Sequence, residues 1–206
     1  MGKIFCITKI YGKGFKREIR KGRKIMLYMF LADGFEETEA IGALDVIKRA
    51  GLEIKTVGIG SKNVTGSHGI TVVSDITSDE ASKDDLKGVI LPGGMPGTLN
   101  LQKNEFVNEM IDYCAENGLM LAAICAAPMI FGEKDLLKGK KATCYPGFET
   151  HFCGGEYTDE YVTVCDNIIT GKGAGASMMF GAAIADYFTG DEGTKKLIEM
   201  QHIILD

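Results

Sequence analysis

The chain has 206 residues, of which 45% are hydrophobic and 25% charged, with a formal net charge of −5. These values fit a globular chain with a full-sized core. They exclude a disulfide scaffold, because the six cysteines are widely scattered, and a membrane span, because no apolar run approaches the roughly 20 residues a bilayer requires. Cysteine usage of this kind points to a reducing cytoplasm.

Charge is unevenly spread. The first 25 residues hold nine basic side chains and one acid, so residues 26–206 carry 14 basic against 27 acidic. A basic arm suits nucleic acid or a membrane surface, and it lacks the sustained apolar core of a secretory signal. Codons such as GGA-AGG for Gly22-Arg23 would form a ribosome-binding sequence upstream of a Met26 start codon. The expectation is therefore a basic leader at 1–25 outside the fold and one domain over 26–206. That domain is strongly acidic, so neither nucleic acid nor membrane is an expected partner.

The pattern predicts a buried strand over Ile25–Leu31, a turn at Ala32–Phe35 and a helix from Glu36 to Ala50. Acids in its first turn and Lys48-Arg49 in its last suit the helix dipole, and Gly51 ends it. A second strand runs over Glu53–Gly60, and residues 61–76 read as a hairpin excursion. Leu86–Leu91 is a buried strand closed by Pro92-Gly93-Gly94, and Asn104–Asn117 is a helix. Residues 119–124 are a buried strand that ends abruptly on Cys125, with Pro128 in the first turn of the next helix. Short strands follow around Thr143, Tyr161–Val164 and Ile168–Thr170. The glycine loop Gly171-Lys172-Gly173-Ala174-Gly175 then leads into an apolar helix to about Phe188, and a last helix is expected over Asp191–Ile203. Alternating strands and helices predict an α/β fold: a flavodoxin-like three-layer sandwich with a mostly parallel sheet.

Chemistry concentrates at the strand ends, where open α/β sheets place their sites. Cys125 sits at a strand–elbow–helix junction, where helix N–H groups favour a thiolate. The backbone N–H groups of Gly93-Gly94 and Ala126 can form an oxyanion hole, although a Gly-Gly pair also serves any tight turn. An acid near the thiol can share its proton, and spacing does not choose among Glu36, Glu37 and Glu39. Gly173 and Ala174 read as close backbone packing beside the site, since the loop has neither a dinucleotide nor a Walker pattern. His151 and His202 read as loop and surface residues. Cys144 and Cys153 lack a ligand cluster, so no metal is expected.

Ala-Asp-Gly-Phe-Glu-Glu-Thr-Glu-Ala at 32–40, Leu-Pro-Gly-Gly at 91–94, Ala-Ala-Ile-Cys-Ala-Ala-Pro at 122–128 and Lys-Gly-Ala-Gly-Ala-Ser at 172–177 occur in a specific order and spacing. The chain from about Met26 onward resembles the ThiJ/PfpI family, in its Parkinson-disease-protein-like branch of bacterial type. The resemblance implies a class I glutamine amidotransferase-like fold. The resemblance implies Cys125 as nucleophile, Glu39 as the acid that hydrogen-bonds it, Gly94 and Ala126 as oxyanion-hole donors, and Arg49 and His68 near a homodimer boundary. It also implies a cofactor-free glyoxalase or deglycase acting on methylglyoxal, glyoxal or glycated protein side chains. A cysteine-based oxidative-stress sensor or redox-regulated chaperone is the alternative. Relatives of the human type carry histidine where Tyr145 stands, and a phenol with its ordinary pKa of about 10 is a poor base near neutrality. The protease-like branch places histidine where Ala126 stands, which argues against a peptidase.

Overall fold

The structure, a computed structural model, describes residues 25–190; the basic segment at 1–24 and the helix expected over 191–203, with His202, lie outside the described residues. The strands are β1 (Met26–Leu31), β2 (Glu53–Gly58), β3 (Asn63–Thr65), β4 (Thr71–Val73), β5 (Ile76–Thr77), β6 (Leu86–Leu91), β7 (Met120–Ile124), β8 (Lys141–Ala142), β9 (Glu156–Tyr157), β10 (Val162–Cys165) and β11 (Ile168–Gly171). The helices are α1 (Glu37–Arg49), α2 (Gly97–Lys103), α3 (Glu105–Glu116), α4 (Pro128–Glu133) and α5 (Ser177–Thr189).

Seven strands form the main sheet in the order β10-β11-β7-β6-β1-β2-β5. Every neighbouring pair is parallel except β10–β11. The strands are short apolar runs whose alternate residues feed two separate cores. Leu27, Met29, Leu31, Ile90, Ala122 and Ile124 face α1 and α5, joined by Val46, Ile47, Phe180 and Ile184. Tyr28, Phe30, Val89, Leu91, Leu121 and Ala123 face the other layer, with Val107, Met110, Ile111, Ile130 and Phe131 from α3 and α4. This is the flavodoxin-like three-layer α/β/α architecture. Helices α1 and α5 approach closely because Gly181 has no side chain: a Cβ there would lie 2.9 Å from the Ala43 carbonyl.

Chain direction across the sheet reverses between β1 and β6, so the loops after these two strands open a crevice at the carboxyl edge. The excursion at 61–76 divides in two. Strands β3 and β4 form the antiparallel hairpin, while β5 returns to extend the main sheet beside β2. Helix α2 was not legible in the sequence. It starts on Pro96-Gly97, two turn formers that mask the apolar positions Leu99 and Leu101 behind them.

Candidate active site

Three strand-end segments meet at Cys125. The first is the start of α1. Glu36 is its N-cap, in extended conformation, and the Glu36 carboxylate accepts the Glu39 N–H at 2.6 Å. Glu37 and Glu39 stand two residues, or about 200°, apart around the helix, so they leave it on nearly opposite sides. Glu39 points inward and is 1% exposed.

Glu37 turns toward the β3–β4 hairpin. Its carboxylate accepts the His68 N–H at 2.7 Å, the Ser67 hydroxyl at 3.3 Å and the Ile70 N–H at 3.4 Å, and pairs with His68 Nδ1 at 2.9 Å. Burial would raise its pKa, but these hydrogen bonds outweigh burial and lower it to about 2. Glu36, Glu37 and His68 bring ligand-type atoms within 4.8 Å of one another. Glu36 caps the helix and Glu37 is filled by protein donors, so the group forms a hydrogen-bonded bracket between α1 and the hairpin.

The second segment is the turn after β6. Gly93 donates its N–H to Glu39 Oε2 at 2.9 Å, and its carbonyl accepts the Glu36 N–H at 2.9 Å. A side chain has no room here: a Cβ on Gly93 would lie 2.6 Å from both Cys125 Cβ and Glu39 Oε2. Gly94 adopts φ +91°, and a Cβ there would fall 2.4 Å from the Glu36 nitrogen.

The third segment is the elbow after β7. Cys125 has φ +65°, a left-handed conformation that a non-glycine residue holds only when its surroundings impose it. Two hydrogen bonds do so: its N–H donates to the Gly171 carbonyl at 2.9 Å, and its carbonyl accepts the Tyr145 N–H at 2.8 Å. The N–H groups of Ala126 and Gly94 hydrogen-bond the Cys125 sulfur, and the Glu39 carboxyl is its side-chain partner. The elbow therefore brings together Cys125, Glu39, Gly93, Gly94 and Ala126.

The protonation of the pair departs from expectation. Burial raises the Glu39 pKa to about 7; the nearby Glu36 charge adds to the rise, while Cys125 and the Gly93 N–H oppose it. Burial also pushes the Cys125 thiol up, with the charge of Glu39 and its hydrogen bond acting in the same direction and the two amides opposing. The pull of a helix amino end toward a thiolate is opposed here by burial and by the Glu39 charge. Helix α4 has only six residues, and its start does not offset burial beside a carboxylate.

A model of the DJ-1/PfpI family matches residues 23–187. The chain belongs to the DJ-1/PfpI family. Protein DJ-1 homolog B of Arabidopsis thaliana is 37% identical over 164 residues, covering 79% of this chain and 37% of that protein. The chain spans about two fifths of the length of the Arabidopsis relatives it matches. Glutathione-independent glyoxalase DJR-1.2 of Caenorhabditis elegans is 27% identical over 179 residues, covering 86% of this chain and 95% of that protein. The crystal structure of Drosophila melanogaster DJ-1beta has a TM-score of 0.83 and 28% identity, covering 88% of this chain and 99% of that one.

In this DJ-1/PfpI chain the glycine loop and Tyr145 adjoin the elbow through the Gly171 carbonyl and the Tyr145 N–H, which bond the Cys125 backbone. A Cβ on Gly173 would touch the Tyr145 ring at 3.4 Å, and Ala174 opens the short 3-10 turn Ala174–Ala176. Tyr145 is 53% exposed and packs edge-on to Phe148, which stacks on His151. His151 pairs with Glu133 at 2.8 Å, at the far end of α4 from Cys125. His68 meets Glu37 at the amino end of α1 and Arg49 stands at its carboxyl end, and those two ends of the helix are about 18 Å apart at 1.5 Å per residue. Arg49 bonds Asp45 at 2.7 Å. Sequence reasoning missed the clamp that Glu37 makes on the hairpin and the link from Glu36 to Gly93; the only local signal was the three-residue spacing of Glu36 and Glu39. Among the described residues no helix is long and apolar enough to cross a membrane.

Proposed function

We propose that the protein is a cysteine-dependent, glutathione-independent glyoxalase acting on small α-oxoaldehydes such as methylglyoxal and glyoxal, or on their adducts with protein side chains. The observation that carries this reading is the Cys125 sulfur, which faces the N–H groups of Gly94 and Ala126 while sharing a hydrogen bond with buried Glu39. The relationship to a relative named as a glutathione-independent glyoxalase supports it.

Ionised Glu39 takes the proton of the Cys125 thiol as the sulfur attacks the aldehyde carbon, C1. A C–S bond forms, the C=O π bond breaks, and the proton on Glu39 reaches the new oxygen, giving a hemithioacetal. The two amides hold the oxygen as charge develops on it. Glu39, now a carboxylate, takes the proton from C1 and returns it to C2 through an enediol, leaving a thioester. Water then cleaves the C–S bond and releases the hydroxy acid, which is lactate from methylglyoxal. C1 is oxidised and C2 reduced within one molecule, so the balance requires only water. A homodimer and a cytoplasmic location belong to the same reading; exposed Ile41, Ile70, Val73 and Met178 supply apolar surface for the former.

The deciding experiment measures lactate formation from methylglyoxal without glutathione. The expected result is a loss of about 100-fold or more in both Cys125→Ser and Glu39→Gln. Activity retained in Cys125→Ser would overturn the reading. One feature favours an oxidant sensor instead: the two amides and a protonated Glu39 offer three donors to the oxygens of a Cys125 sulfinate. Stoichiometric mass gain at Cys125 with peroxide, in a protein that forms no lactate, would select that alternative.

A further inference from the structure

We propose that Glu36 is a positioning residue for the Glu39–Cys125 pair, holding the Glu39 backbone with its carboxylate and keeping the proton on the pair with its charge. The proposal rests on the reading of Cys125 and Glu39 as the reacting groups, and it assigns to Glu36 a part that its place outside the pocket does not suggest.

The geometry has three independent parts. The Glu36 carboxylate accepts the N–H of Glu39 itself at 2.6 Å, so the cap lies on the residue that meets the thiol. The Glu36 N–H donates to the Gly93 carbonyl, and the Gly93 N–H donates to Glu39 Oε2, both at 2.9 Å, so the two glutamates bracket one glycine. Finally, Gly94, whose N–H reaches the sulfur, packs so tightly on Glu36 that a Cβ would lie 2.4 Å from the Glu36 nitrogen. Movement of Glu36 therefore moves the acid and one of the sulfur's donors together.

The charge argument is equally local. From the elbow, Cys125 faces Glu39; from the turn after β6, only backbone amides do. From the hairpin, His68 pairs with Glu37 at 2.9 Å and also lies within 4.8 Å of Glu36, whose charge acts on it as well. Helix α5 brings uncharged Ser177 to α1, beside Gly42. Glu36 is thus the one outside carboxylate among the described residues that acts on Glu39, and its repulsion favours the protonated form.

Glu36→Gln separates the two roles, since the amide oxygen can still cap Glu39 while the charge is gone. The proton on Glu39 is followed by the infrared carboxylic-acid band that Glu39→Gln removes. Alkylation of Cys125 by iodoacetamide against pH, read by mass spectrometry, gives a second reading. Neither needs aldehyde turnover. In Glu36→Gln the Glu39 midpoint is expected to fall by about one unit, a modest value because Glu36 is partly solvated. Added salt should lower the wild-type midpoint and leave that of Glu36→Gln nearly fixed. Glu36→Ala should lower the midpoint and also the unfolding temperature, as a lost cap does. An unchanged midpoint in Glu36→Gln would overturn the proposal and leave Glu36 as a helix cap. A shifted midpoint in a protein that forms no lactate would uphold it while the glyoxalase reading fails.

Discussion

Gly93 lies so close to Cys125 that a Cβ on it would fall 2.6 Å from the cysteine's own Cβ. The same point lies 2.6 Å from Glu39 Oε2, so the reacting pair meets where this residue has no side chain. Gly93→Ala must therefore push apart β6, α1 and the elbow. The expected outcome is a loss of about 1–3 kcal/mol in stability, the usual cost of overpacking, with a fall in Cys125 alkylation rate at neutral pH. Denaturant unfolding and thiol labelling measure the two effects separately.

Buried Glu39 makes stability and activity run in opposite directions with pH. Its folded pKa, about 7, lies above the ordinary glutamate value of 4.5. Its favourable contribution is therefore complete below about 4.5 and is lost as pH rises through about 7. Glu39→Gln should match wild type in stability near pH 4 and exceed it by about 1–3 kcal/mol at pH 8. Its methylglyoxal turnover should be lost at every pH. In wild type, the step that needs Glu39 as a base should rise with pH through about 7. Thermal unfolding and kcat/KM measured across the same pH series test both halves.

Glu37 has the opposite sign. Its folded pKa of about 2 lies below 4.5, so its stabilisation is present above about 4.5 and disappears as pH falls through about 2. Glu37→Gln leaves donors of Ser67, His68 and Ile70 poorly matched. The expected cost is about 1–3 kcal/mol at pH 7 and little near pH 2. Hydrogen exchange should show faster opening of the β3–β4 hairpin at neutral pH.

Tyr145 stands at the mouth of the site with its N–H on the Cys125 carbonyl and its ring against Gly173. Tyr145→His puts a group that titrates near neutrality on the same backbone. The expected outcome is a rise of about tenfold in kcat/KM for methylglyoxal, at the low end of general acid–base effects. Tyr145→Phe should change the rate little. Lactate assays on the three proteins check this directly, and a Tyr145→Phe as inactive as Cys125→Ser would show that the phenol itself takes part.

Much of this arrangement is written in short stretches of chain. The apolar run before Cys125, the glycines after Leu91 and the acids before Ala40 each announce a strand end, because buried strands and helix starts have composition rules that hold locally. Helix α2 escaped because Pro96-Gly97 reads as a turn until Leu101 finds the core. Strand β5 escaped because two residues carry no period, and only the free edge of β2 makes them a strand.

By itself the sequence determined the order of strands and helices, the elbow at Cys125 and the family, since these depend on neighbours within a few residues. The family resemblance pointed to Glu39, but only the tertiary structure decided why Glu39 reaches the thiol while Glu36 and Glu37 do not, and how burial shifts its proton. Successive residues of α1 point about 100° apart, so Glu36, Glu37 and Glu39 diverge by geometry alone. The sheet order then sets what each one meets. Glu39 enters the buried crevice between β1, β6 and the elbow, Glu37 meets the hairpin, and Glu36 stays at the edge. Burial costs a carboxylate its hydration, and that cost, which no spacing in the chain encodes, leaves Glu39 with a proton to share.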